Sequence, residues 1–366
     1  LLVVLIGAQM LCIFQLREIR TRSKLVVVAA ISAAFILVVV LALSIQTGAP
    51  WRFALRDGGW AATMVLLAGL IVQSLLPVIE RIFNVATGST LLEWCDASKP
   101  LLKRLATESP GTYNHSLQLG AMCESAADTI GARGLLARVG AYYHDIGKIN
   151  KPEYFAENQA SGENKHDKLS PAMSLLIIIN HVKDGLEMAR RYGLPTLLRG
   201  FINTHHGTNL VRYFYHTAAK QSEDAKGPAP DESQYRYPGP KPHLKEEAIL
   251  MLADGAESSV RALSEPTPTS IRTQVHRIVT ERLEDGQLDE CDLTLKEVHL
   301  IEESFVKSLC GMYHARIAYP KDEKEEKSGK KTEKGNRNAT NEKNHHPSSE
   351  NAIQETQEER EDSSHS

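Results

Sequence analysis

Apolar positions crowd the start of this chain and charged ones its end. From Leu1 to Leu16 only Gln9 and Gln15 are clearly polar, and the run stops at Arg17, Glu18, Arg20, Arg22 and Lys24. Leu25 to Ile45 carries no charge, and Trp60 to Ile79 is interrupted only by Thr63, Gln73 and Ser74. The last two runs have the length a helix needs to cross roughly 30 Å of hydrocarbon. The first looks like a span cut at its start, so an N-terminal portion is expected ahead of Leu1. Three such runs in series argue against a secretory signal peptide, which has one short apolar core. The expectation is transmembrane helices over residues 1–80 with lipid as a partner. Four basic residues between the first two runs place that loop on the cytoplasmic side. Thr47 to Gly59, with Arg52, Arg56 and Asp57, is then an outer loop flanked by Trp51 and Trp60, whose rings favour the interface. Everything after Arg81 falls in the cytosol.

Beyond the spans the pattern changes to amphipathic helices, with a connector over 81–108 and a domain over 109–318. Pro110-Gly111 is expected to break the chain, with Thr112 capping a helix from Tyr113 to Ile130 that Gly131 stops. Leu135, Leu136, Val139, Tyr142 and Tyr143 keep helical spacing up to His144-Asp145 and a stop at Gly147. Ser170-Pro171 reads as a cap followed by a first-turn proline, opening a helix through His181 to Gly193. Pro195 opens the next, which runs through Leu197, Leu198, Phe201 and Ile202 to His205-His206 and ends at Gly207. Residues 216–243 turn to Ser, Asp, Lys, Pro and Gly and predict a flexible loop. Glu246 to Leu263 is a helix with Asp254 among its apolar residues, where a carboxylate needs a partner. No useful run of alternation predicts a strand, so the fold class is all-α. Residues 319–366 are charged and nearly without apolar side chains, the signature of a disordered tail.

A net charge of −3 disfavours duplex nucleic acid as a partner, since such a surface is strongly basic. Cys12, Cys95, Cys123, Cys291 and Cys310 contain no CxxC pair and read as reduced thiols.

The chemistry lies in the histidines. Among 14 His, a His-Asp pair arises by chance about half a time, and His166-Asp167 in a polar stretch is such a pair. His144-Asp145 differs in its company. His115, His181, His205, His206 and Asp254 each fall on a different predicted helix or at its end, among apolar residues. Neutral imidazoles with carboxylates suit a divalent ion such as Fe, Mn or Zn. Five His and two Asp exceed the ligand count of one catalytic ion, and the Asp145 carboxylate can bridge two. Two ions so held activate a water between them and polarise phosphoryl oxygens, which is equipment for phosphoester hydrolysis. Lys148, just past the pair, either meets a phosphate oxygen or is a solvated lysine at a helix C-terminus. Arg261, two turns after Asp254, either meets a second phosphate or is an ordinary surface arginine.

These residues carry a resemblance. Glu108 to His115 (ESPGTYNH), VGAYYHDIGK, HDKLSP, INHVKDG, HHGT, YFYH and PGPKP occur in this order after apolar spans. Over residues 60–315 the chain resembles the membrane-anchored, seven-transmembrane-receptor type of HD-domain phosphohydrolase. The resemblance implies hydrolysis of cyclic di-AMP to linear pApA at a binuclear Fe or Mn centre in a multi-pass bacterial membrane protein, its HD domain facing the cytosol below an extracellular sensor. It implies His115, His144, Asp145 and Asp254 as ligands of one ion, and Asp145, His181, His205 and His206 as ligands of the other. It implies in-line attack at one phosphodiester phosphorus, with His144 and Asp145 at the catalytic centre and Lys148 and Arg261 as substrate contacts. Cyclic di-GMP is the alternative substrate, but the GYP segment that follows the His doublet in enzymes acting on it is absent, and Gly207-Thr208-Asn209-Leu210 stands there. A receptor that binds a nucleotide without cleaving it is the other alternative, against which the full ligand set argues.

Overall fold

The computed structural model describes residues 2–15, 22–48, 50–83, 85–159 and 164–314; the tail expected over 319–366 lies outside them. Three apolar helices come first: α1 (Leu2–Gln15), α2 (Arg22–Gln46) and α3 (Trp51–Phe83). Two stretches among them, Lys24–Gln46 and Trp51–Glu80, are long and apolar enough to cross a membrane. Helices α2 and α3 lie antiparallel and close, because small residues meet: a Cβ added at Gly69 would sit 2.4 Å from that of Ala29, and one at Gly58 would sit 3.0 Å from Leu37 Cδ1. Small residues are what allow helix backbones to approach without a hydrophobic drive from lipid. The outer faces of α3 leave Leu67, Leu70, Ile71, Val72 and Leu75 exposed.

The outer loop expected over Thr47–Gly59 is shorter than predicted. Thr47 Oγ1 donates to Leu43 O at 3.0 Å and ends α2, Gly48 adopts φ +68°, and the helix resumes at Trp51. Arg52, Arg56 and Asp57 therefore ride on the first turns of α3, where Arg56 pairs with Asp57 at 2.9 Å. The 33 residues of α3 rise about 50 Å, enough to carry charged residues past the hydrocarbon at either end.

The connector is helical, as α4 (Gly88–Trp94) and α5 (Pro100–Glu108). Its joint with α3 is polar: the buried carboxylate of Glu80 accepts from the hydroxyls of Thr87 and Thr90. Tyr143 donates its hydroxyl to Trp94 O at 2.8 Å, fastening α4 to the domain.

The domain is built from α6 (Pro110–Thr129), α7 (Gly134–Tyr143), α8 (Pro171–Arg191), α9 (Thr196–Thr204), α10 (Arg212–Asp224), α11 (Lys245–Arg261), α12 (Pro268–Glu284) and α13 (Leu295–His314). One core unites Leu105, Leu119, Leu136, Phe201, Ile249, Leu252, Val275 and Phe305, so every domain helix except α10 contributes to a single apolar interior. Among the described residues there is no strand, only an isolated antiparallel bridge from Leu210 to Arg236. The all-α expectation holds.

Two local readings change. The break comes one residue before Pro110-Gly111, at Ser109 with φ −142° and ψ 64°: Pro110 opens the first turn of α6 and Thr112 lies inside the helix rather than capping it, and the missing N–H of Pro110 costs nothing there. Residues 216–243, expected as a flexible loop, are structured in large part. Helix α10 runs to Asp224, and the chain then returns to pair Val211 N with Tyr235 O at 2.9 Å and Tyr237 N with Asn209 O at 3.0 Å. Tyr235 and Tyr237 are buried. Composition hid this because two buried tyrosines hold a segment that is otherwise polar. Ser170 caps α8 as expected, accepting from Met173 N.

Gly147 sets the spacing of the domain's centre. A Cβ there would lie 1.8 Å from His181 O and 2.6 Å from Gly185 N, so the turn after α7 rests directly on the backbone of α8. Gly131, by contrast, takes φ +71° with nothing within 4 Å of an added Cβ. Gly131→Ala should cost about 1–2 kcal/mol from backbone conformation alone, whereas Gly147→Ala should cost well over that or prevent folding, because backbone must move. Thermal unfolding of the two variants checks this, and equal losses would refute the contact.

Candidate metal centre

Five helices bring the predicted residues to one place. His115 lies in the second turn of α6, His144 caps α7 with Asp145 following, His181 sits mid-way along α8, His205 and His206 follow α9, and Asp254 is central in α11. Two groupings share Asp145: Asp145 with His181, His205 and His206, and Asp145 with His115 and His144, the ligand atoms of each lying within 4.8 Å of one another. Asp254 joins through His115, its Oδ1 being 3.1 Å from His115 Nε2. His166-Asp167 stays apart, with His166 Nε2 bonded to Tyr154 O at 2.8 Å.

The backbone dictates which ring nitrogen faces inward. Nδ1 of His144 lies 2.7 Å from Ala141 O, Nδ1 of His181 lies 2.5 Å from Ile178 O, and Nδ1 of His205 lies 2.9 Å from Ile202 O. Each Nδ1–H is donated to a carbonyl one helical turn back. A neutral imidazole with its proton on Nδ1 presents a bare lone pair at Nε2. Burial keeps His205 neutral by lowering its pKa, and burial together with His205 and His181 lowers that of His206 strongly.

The centre is therefore crowded with acceptors. His181 Nε2 and His205 Nε2 are 3.2 Å apart, and they lie 3.3 and 3.5 Å from Asp145 Oδ1. His144 Nε2 and Asp145 Oδ1 are enclosed with no hydrogen-bond partner. Buried acceptors without donors are costly, and a divalent cation bound among them removes that cost. The donor set of imidazole nitrogens and carboxylates fits such an ion, and the Nδ1 anchors are the outer partners that commonly orient ligating histidines.

Charges around the centre are balanced pairwise. Burial pushes the Asp145 carboxyl up, but His144 and Lys148 hold it well below the usual carboxylate range. Lys148 Nζ is 2.7 Å from both Asp145 Oδ2 and Glu157 Oε1, so the solvated-lysine reading does not apply. Its own pKa is raised: burial alone would lower it, and Asp145 and Glu157 outweigh that. His115 is flanked by Asp254 and by Glu257 Oε2 at 2.9 Å. Arg261 pairs with that same Glu257 oxygen at 3.2 Å, so its guanidinium is committed beside His115. Asp254 is held well below the ordinary range by His115 and His144 against its burial.

Three participants escaped sequence reasoning. Glu257 follows Asp254 by three residues and precedes Arg261 by four, a helical spacing that could have revealed it. Glu157 lies in an irregular segment with no periodic signal; it accepts from Thr112 Oγ1 at 3.1 Å, while Asn158 Oδ1 accepts from Thr112 N. Tyr237, stacked on His206 with ring centroids 4.2 Å apart, was assigned to the loop. A cavity of about 730 Å³ opens from His205, His206 and Asp254 between α11 and α12, within the range of small-molecule sites.

The HD domain family model matches residues 112–258. The cyclic-di-AMP phosphodiesterase PgpH of Bacillus subtilis is 44% identical over 260 residues, covering 71% of this chain and 36% of that protein. The protein of the same name from Listeria monocytogenes is 43% identical over 265 residues, covering 72% and 35%. The chain thus spans about a third of the length of these relatives. The crystal structure of the L. monocytogenes PgpH HD domain in complex with cyclic-di-AMP matches with 42% identity and a TM-score of 0.57, over 60% of this chain and 100% of that one.

His115 supplies a test of the centre without metal. Burial would lower its pKa, but Asp254 and Glu257 raise it to about 9, above the ordinary value near 6.5. Its ion pairs therefore stabilise the metal-free protein fully below about pH 6.5 and are lost as pH rises through 9, a fall of roughly 3 kcal/mol. Urea unfolding in chelator between pH 6 and pH 9.5 should show the fall, and His115→Gln should flatten it. A wild-type profile without that slope would contradict the assignment.

Proposed function

The chain belongs to the HD-domain family, and from that premise we propose that it is a metal-dependent phosphodiesterase that opens cyclic di-AMP to linear pApA. The observation that carries the reading is Asp145, shared by two groupings in which His144, His181 and His205 turn bare Nε2 acceptors inward. In this reading one divalent ion, Fe or Mn, is held by His115, His144, Asp145 and Asp254, and a second by Asp145, His181, His205 and His206. When bound, such ions supply Lewis-acid polarisation of phosphoryl oxygens and water that is acidic enough to act near neutral pH.

The chain's own residues prepare the site for that chemistry. Lys148 keeps Asp145 ionised, so both carboxylate oxygens remain available as ligands. The Nδ1 anchors fix three rings in one tautomer and orientation, which removes reorganisation from binding. Glu257, with Arg261 behind it, orients His115. Lys148 and Arg261 were candidates for substrate contact; Lys148, beside Asp145, is placed to share its charge with a phosphate oxygen, and Arg261 acts on His115 through Glu257. The cavity admits the ligand beside His205, His206 and Asp254. The apolar helices α2 and α3 anchor the domain in lipid as parts of a multi-pass array, with the domain on the cytosolic face; Arg22 and Lys24 at the start of α2 support that orientation.

Two experiments test the reading. The full chain in detergent, loaded with Mn(II) or Fe(II), should convert cyclic di-AMP to pApA and act far more slowly on cyclic di-GMP, as followed by chromatography. Turnover of neither would exclude the enzyme, and preference for cyclic di-GMP would exclude the substrate. Asp145→Ala should abolish turnover and metal content together. Full metal occupancy in that variant would reject the shared ligand.

A further inference from the structure

The cavity beyond the metal centre contains three arginines, and they are not equivalent. Arg212 and Arg277 both pair with Glu281, at 3.0 and 2.7 Å. The Arg282 side chain has no ion pair or hydrogen bond among the described residues, and its Nε is enclosed without a partner. The side chain lines the same cavity as His205, His206 and Asp254. Its Nη2 lies 3.7 Å from where a Cβ of Gly255 would stand, one residue beyond Asp254. The guanidinium thus lies against α11 beside the centre.

A guanidinium whose Nε is enclosed and that has no carboxylate partner is costly unless something anionic completes it. Burial disfavours its charge and lowers its pKa. Glu281, the carboxylate that could have answered it, is taken by the other two arginines. Arg presents a planar fork of donors matched to two oxygens of one phosphate, which a lysine cannot reproduce. Arg261, the arginine that spacing pointed to, is tied to Glu257 and does not line this cavity.

We propose that Arg282 binds the second, unreacting phosphate of a cyclic dinucleotide while the first lies at the His-Asp centre. This rests on the phosphodiesterase reading and deepens it: Arg282 becomes the residue that distinguishes a two-phosphate ring from a ligand with a single phosphodiester. Tight binding of the remote phosphate holds the scissile one in place, so its loss is read chiefly in KM.

The experiment compares Arg282→Met and Arg282→Lys with wild type as Mn(II)-loaded full chain in detergent, using cyclic di-AMP and the one-phosphate substrate bis(p-nitrophenyl) phosphate. Arg282→Met should raise KM for cyclic di-AMP by roughly tenfold or more, with a much smaller rise for the one-phosphate substrate and with manganese content and melting temperature retained. Arg282→Lys should recover part of the loss, since it restores charge without the fork. An unchanged KM for cyclic di-AMP, an equal rise for both substrates, or a loss of manganese would overturn the assignment. Wild type that cleaves bis(p-nitrophenyl) phosphate but not cyclic di-AMP would instead defeat the cyclic di-AMP reading of the site, and this assignment with it.

Discussion

A buried carboxylate surrounded by lone pairs governs this molecule. Asp145 lies among ring nitrogens whose protons have been given to helix carbonyls, so it meets acceptors where an ordinary buried acid would meet donors. Lys148 answers one of its oxygens, and nothing among the described residues donates a hydrogen bond to the other. An arrangement of this kind is poor as a piece of core and good as a receptor for a small, highly charged cation. The surrounding design follows from it. Helices must end or pass at the same point, their carbonyls must face the rings, and compensating charges must sit one layer further out, as Lys148, Glu157, Glu257 and Arg261 do.

Much of this was legible in the sequence because the relevant signals are local. His144 at a helix end, Ser170-Pro171 as a cap, and Gly193 and Gly207 as stops are consequences of backbone hydrogen bonding that neighbours reveal. The seven metal-site candidates could be picked out because polar residues on apolar helical faces are conspicuous, and the resemblance grouped them. Glu157 was illegible because it acts from an irregular segment and meets Lys148 and Thr112 only through tertiary folding. The ordering of residues 232–237 escaped for the same reason: composition weighs Pro, Gly and Ser, whereas the outcome was decided by two tyrosines and a few backbone hydrogen bonds to residues 209–211. Arg282 was invisible for a different reason. Its interest lies in the partners it lacks, and the absence of a neighbour has no sequence pattern.

The apolar helices and the HD domain are governed by different physics yet joined by short polar links. Small residues bring α2 and α3 together where lipid gives no incentive for apolar contact. Below them, Glu80 with Thr87 and Thr90 satisfies a carboxylate just where α3 ends. Tyr143, which donates to Trp94 O, is the residue before His144. The covalent path from the last apolar helix to the His-Asp cluster is therefore accompanied by hydrogen bonds at both of its joints.

The contact of Gly147 with His181 and Gly185 bears on how such a centre survives change in its surroundings. Side chains in a core repack when neighbours are substituted, and distances set by them drift with each repacking. Here the separation of Asp145 from His181 is measured by one main chain lying on another, a length that no rotamer can alter. Apolar residues such as Leu136, Phe201 and Ile249 can accordingly exchange among similar volumes while the gap between Asp145 and His181 stays constant, so the core can be repacked without moving these two side chains apart.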